Sequence, residues 1–155
     1  MSRLPSPSSE ENARTVRHLC ASGTPTRFRA AGLRRPGPYQ LQAAITACHA
    51  GAASWAETDW QQIIALYDAL LALTPSPVAQ LNRAIARRYL DGAQAALDEV
   101  EALADPLDNY YLFHATRAEL LRDLGRDSEA RLAVSRALSL TANPAERALL
   151  QKRLA

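Results

Sequence analysis

From Tyr39 onward the apolar residues recur at helical spacing and are interrupted at short, well-marked breaks. Ile63, Leu66, Tyr67 and Leu70 stand at i, i+3, i+4 and i+7, one stripe of a helix that the pattern places over about residues 59–73. Thr58-Asp-Trp-Gln before it has the Ser/Thr-x-x-Gln spacing of a capping box, and Thr74-Pro75 closes it. An earlier helix over about 38–50 has Pro38 in its first turn and Gly51 as its stop. Ser76 and Pro77 read as N-cap and first residue of a third helix, with Leu81, Ala84, Ile85 and the Tyr89-Leu90 pair on its apolar face. Asp91-Gly92 is a turn, and a fourth helix over about 93–103 turns Ala96, Leu97, Val100 and Leu103 inward before Asp105-Pro106 ends it. A fifth, over about 109–124, carries Tyr111, Ala115, Ala118 and Leu121 and stops at Gly125, and a sixth starts near Asp127. Asn143-Pro144-Ala145-Glu146 combines an N-cap, a first-turn proline and a carboxylate, which predicts a last helix ending at Leu154.

Helices of similar length joined by short breaks pair as antiparallel hairpins, each burying its apolar stripe against a neighbour. Ahead of them, Pro5-Ser-Pro-Ser-Ser-Glu-Glu-Asn has too little apolar surface to offset chain ordering and reads as disordered, with weak helical turns expected over 13–22 and 27–33. The division is therefore a poorly ordered 1–35 and a folded 36–155. The 155 residues suffice for one hydrophobic core, and charges interrupt every apolar run well short of a membrane span.

Charge sharpens the division. Residues 1–36 hold seven Arg against two Glu, +5, whereas 37–155 hold eleven basic and fourteen acidic groups, −3. A mildly acidic helical part is poorly suited to phosphate, which is bound by clustered cations that displace counterions, so no direct nucleic-acid binding is expected. Cys20 and Cys48 read as reduced thiols, no apolar signal segment precedes them, and a cytoplasmic location with no membrane partner is expected.

Little in the chain carries reaction chemistry. His18, His49 and His114 are far apart, and neither Cys-x-x-Cys nor His-Glu-x-x-His occurs, so no metal is expected. Gly-x-Ser-x-Gly, a phosphate loop and a dinucleotide fingerprint are missing too, and the reading is of a non-enzyme without cofactor or small-molecule substrate. Asp98, Glu99 and Glu101 crowd one helix and read as a solvated face. Trp55, Trp60, Tyr110 and Tyr111 open helices, where large rings fill gaps between hairpins.

The string Gly125, Ala130, Val134, Ala137 resembles the spacing of small and apolar positions in tetratricopeptide repeats, which recur at roughly 34 residues. That likeness implies an all-α, right-handed array of about three antiparallel hairpins plus a C-terminal capping helix. In such arrays the first helix of each hairpin lines a concave groove. Asn82, Arg83 and Arg87, with Arg88, would face it from the third helix, and His114, Arg117 and Arg122 would continue it from the fifth. Asn82 would bond a peptide backbone and Arg87 a carboxylate; equally, Arg117 and Glu119 serve pairs between helices.

Over about 120 residues the chain also resembles the C-terminal extension of one subgroup of extracytoplasmic-function RNA polymerase sigma factors of bacteria. The phrases are Pro36-Gly-Pro-Tyr-Gln-Leu-Gln-Ala-Ala-Ile, Thr58-Asp-Trp, Ile64-Ala-Leu-Tyr-Asp, Pro75-Ser-Pro-Val, Leu81-Asn-Arg-Ala, Asp91-Gly and Tyr111-Leu-Phe-His-Ala-Thr-Arg-Ala-Glu-Leu-Leu-Arg-Asp-Leu-Gly-Arg. The resemblance implies a regulatory domain that acts through protein contacts with sigma-factor regions or core RNA polymerase. The regions that melt the −10 element and read the −35 element do not fit within 1–35, so this chain alone is not expected to direct transcription. Two other readings stand beside it: a free-standing scaffold that captures a peptide with an acidic end on Asn82, Arg83 and Arg87, and an enzyme built on His114, Arg117 and Glu119.

Overall fold

The computed structural model describes residues 36–52 and 54–152, and all the regular structure among them is helical. The expectations for 1–35, with His18 and Cys20, and for the end of the last helix at Leu154 lie outside the described residues, as does the side chain of Trp55. The chain gathers into two compact units that divide between Pro75 and Ser76, within the stretch read from sequence as one domain. The two prolines of Thr74-Pro75-Ser76-Pro77 fix the backbone there outside any helix interior.

In the first unit α1 (Pro38–Gly51) packs against α2 (Trp60–Leu73), with a 3-10 turn over Trp55–Glu57 between them. Leu41, Ala44, Ile45 and Cys48 meet Trp60, Ile63, Leu66 and Leu70 in the seam, as the stripe predicted. The Trp60 ring stands edge-on to His49 at 5.6 Å between centroids, and the buried Cys48 is a reduced thiol. The start of α2 differs from the capping-box reading. Asp59 is the N-cap, its Oδ1 accepting the Gln62 N–H at 2.9 Å, while Thr58 is buried and donates back to the Ser54 carbonyl at 3.2 Å. Thr58 and Asp59 both suit a cap; burial of the threonine left the role to the aspartate.

The second unit begins with α3 (Pro77–Glu101), capped by the Ser76 hydroxyl on the Ala79 N–H. Helical hydrogen bonding runs nominally through it, but Gly92 has φ 88° and ψ 173° and breaks it into two arms. Arg83 and Glu99 prove the fold-back. Sixteen residues of straight helix would separate them by about 24 Å, yet Arg83 Nη1 lies 2.7 Å from Glu99 Oε1. Arms 77–91 and 93–101 are thus a hairpin with Asp91-Gly92 at its apex, where the turn was expected.

Asp105-Pro106 does not terminate the return arm, which already ends at Glu101; both residues lie within a short helix, α4 (Ala104–Leu107). A proline in a first turn lacks an N–H that would be unpaired anyway, so it is tolerated there. The second hairpin pairs α5 (Tyr111–Asp123) with α6 (Asp127–Leu140). Gly125, at φ 71°, makes the bend: its N–H bonds the Arg122 carbonyl at 2.9 Å and the Arg126 N–H reaches Leu121 at 2.8 Å, the paired bonds of a Schellman stop.

Helix α7 (Pro144–Lys152) starts on the Asn143 side chain, which accepts from Ala145 N at 3.0 Å. Its Arg147 guanidinium bonds the Leu138 and Thr141 carbonyls at 2.6 and 3.0 Å and so caps the end of α6. Leu150 joins the core formed by Leu81, Leu97, Val100, Leu120, Leu121 and Val134. By element order the described chain is three hairpins and a C-terminal helix.

Candidate functional site

The arginines expected to face a partner are directed at the protein itself. On the first arm of α3, Arg83 and Arg87 both bond Glu99 Oε1 on the return arm, and Arg87 Nε also holds Asp91 at 2.8 Å. These bonds hold the Arg87 guanidinium above its ordinary range, Glu99 contributing most. Arg88 turns the other way, toward α5, where its Nη2 lies 2.6 Å from Asp123 and its Nη1 3.5 Å from Glu119. Arg117 of α5 reaches back to Glu101 at 2.7 Å. Of the three carboxylates read as a solvated outer face, Glu99 and Glu101 are therefore counter-ions of candidate cations, Asp98 accepts from the Gln94 amide, and the inter-helix reading of Arg117 and Glu119 describes the geometry.

His114 is 7% exposed, edge-on to Phe113, with Nε2 2.7 Å from the Asp108 carbonyl. It is a core residue tying the loop before α5, a correction to its expected place in a groove. Arg136 of α6 holds the same loop through Asp108 Oδ2 at 2.9 Å. Asn82 is exposed on the first arm, and Arg122 is half-buried in the last turn of α5, beside carbonyls that favour a cation. His114, Arg117 and Glu119 each engage a different partner, the Asp108 carbonyl, Glu101 and Arg88 respectively. Among the described residues no group of acidic, His or Cys side chains could hold a metal ion, and no helix is long and apolar enough to cross a membrane.

Because Glu99 serves two guanidiniums while only partly exposed, removing its charge has a measurable effect. Glu99→Gln is expected to cost the second unit about 1 kcal/mol, since the shared carboxylate is more shielded than an ordinary surface pair. In urea titrations the difference from the parent should shrink at about 1 M salt, where screening acts within roughly 3 Å. A difference unchanged by salt contradicts an electrostatic role.

What the second unit does offer is a groove of about 180 Å³ between α5 and α7. Leu112, Ala115 and Thr116 form one wall, Leu149 and Leu150 the other, with Tyr111, Glu119 and Glu146 at the lips. Leu112 is 40% and Leu149 55% exposed, large apolar side chains left open to water. The Tyr111 phenol is pushed above its ordinary range by loss of solvent and by its hydrogen bond to the Glu146 carboxylate, which also accepts from the Thr141 hydroxyl. Sequence reading passed over Leu112, Thr116, Glu146 and Leu149 as site residues. The local signal was slight: Leu149 and Leu150 are adjacent on α7, and of the two only Leu150 is buried.

No family model matches the chain, and no solved structure matches it. An uncharacterized protein of Rhizobium meliloti (strain 1021) is 50% identical over 121 residues, which are 78% of this chain and 29% of that protein. The chain thus spans less than a third of the relative it matches. With 121 residues making up 29%, the relative is about 420 residues long, leaving about 300 outside the match.

Proposed function

We propose that this chain is a non-catalytic interaction module of the kind that forms the C-terminal extension of an extracytoplasmic-function sigma factor, acting by contact with sigma-factor regions or core RNA polymerase. The observation that carries the reading is the distribution of the second unit's surface: the arginines and carboxylates of α3 and α5 bond one another, while an apolar groove stays open between α5 and α7. An apolar groove between two helices can seat a side chain of a partner protein. Of the sequence phrases behind the resemblance, the longest, Tyr111 to Arg126, falls on α5 and the stop that builds this unit's second hairpin. The about 300 further residues of the Rhizobium meliloti relative leave room for promoter-recognising regions in a longer chain.

The full chain, immobilised and challenged with purified core polymerase and with sigma regions from the same cell, is expected to retain one of them. Retention of neither withdraws the transcription reading. The groove also supports a second reading, a peptide-binding scaffold. Its acidic-end form on Asn82, Arg83 and Arg87 is disfavoured, because Arg83 and Arg87 already bond Glu99.

A further inference from the structure

The groove between α5 and α7 has a charge of its own, and it is the opposite of the one that a peptide with an acidic end would need. Its lining includes Glu119 and Glu146 and no cation. Glu119 receives Arg88 at 3.5 Å, but that guanidinium makes its closer contact, 2.6 Å, with Asp123. Glu146 accepts from the hydroxyls of Thr141 and Tyr111, neither of which neutralises it. A carboxylate has about four acceptor positions, and the two hydroxyls leave Glu146 able to take a further donor.

The floor is apolar and of defined size. A dry cavity of about 150 Å³ takes a benzene ring, so a hollow of about 180 Å³ takes one leucine- or phenylalanine-sized side chain. Leu112 and Leu149, exposed beside it, offer contact to a second apolar residue one helical turn away. An apolar anchor with carboxylates on both lips matches one partner chemistry: a helix carrying apolar side chains one turn apart, flanked by Arg or Lys.

We propose that the α5–α7 groove is a docking site for a basic amphipathic helix of a partner protein, with Leu112 and Leu149 gripping its apolar face and Glu119 and Glu146 pairing with its cations. This inference rests on the interaction-module reading, and specifies its partner. Because the contact is small, affinity is modest and falls with salt.

Selection of a displayed random-peptide library on the full chain tests it without presuming the partner. The enriched peptides should pair apolar residues at three- or four-residue spacing with Arg or Lys. Leu149→Ala, at an exposed position, should weaken them at least tenfold with the helical circular dichroism unchanged. Glu119→Lys, which leaves Arg88 its Asp123 contact, should turn the selection toward acidic peptides. Enrichment of acidic peptides on the unaltered chain, binding indifferent to Leu149→Ala, or no enrichment at all overturns the docking site. Should the chain still retain polymerase or sigma regions in that case, the interaction-module reading survives and the groove inference alone fails; loss of both removes both.

Discussion

Leu121→Ala is expected to destabilise the second unit by about 2–5 kcal/mol, the range for emptying a leucine's volume in a core that cannot collapse. Leu121 is 0% exposed and sits on α5, the helix that packs against both α3 and α6. Shortening it therefore opens a void where three helices meet, beside the Schellman stop whose Arg126 N–H bonds the Leu121 carbonyl. Domains of this size have about 5–15 kcal/mol in total, so a large share of the stability goes. With urea slopes of about 1–3 kcal/mol per molar, the midpoint seen by far-ultraviolet circular dichroism should fall by about 1–3 M. Tryptophan fluorescence arises from Trp55 and Trp60, both in the first unit, and so separates the two units' transitions. Leu132→Ala is the control: at 71% exposed on α6 it should stay within about 0.5 kcal/mol of the parent. Equal losses at the two positions would contradict the assigned core.

The helices were legible because their boundaries are local. Proline at a first position, Asn143 before Pro144, and glycine past a last turn act on the residues beside them, and α3, α5 and α7 begin or end where those signals stand. Boundaries failed where two residues compete for one role, as Thr58 and Asp59 do, or where a proline is harmless, as Pro106 is in α4. The candidate site was legible only in part, for a different reason. Periodicity assigns a residue to a face; it does not say which opposite charge that face meets. Arg83 meets Glu99 sixteen residues on and Arg88 meets Glu119 thirty-one residues on, separations that only the folded hairpins close. Hence Arg83 and Arg87 looked available and Glu99 looked solvated. The groove is likewise made of α5 and α7, whose exposed leucines gain meaning only side by side.

Gly92→Ala is expected to cost about 1–3 kcal/mol, although a methyl group there would touch nothing within 4 Å. The penalty is conformational. At φ 88° and ψ 173° the residue lies in a region that is open essentially to glycine alone. Alanine is also the best helix former, so the substitution favours a straight α3 in place of the hairpin, by up to about 1 kcal/mol. A straightened helix would carry Glu99 about 24 Å from Arg83 and leave the return arm, with Ala96, Leu97 and Val100, without its own core. The same arm can then be accepted by a second copy of the chain, the route to domain-swapped dimers that hinge mutations open. Two measurements follow: a lower urea midpoint, and a dimer in light scattering that grows with protein concentration. Asparagine separates this bend from the one at Gly125, where φ is 71° within a Schellman stop. Asparagine tolerates that left-handed helical conformation, so Gly125→Asn should be milder than Gly125→Ala, whereas Gly92→Asn should cost as much as Gly92→Ala. A Gly92→Ala protein as stable and as monomeric as the parent would mean that Asp91-Gly92 is not the apex of a hairpin.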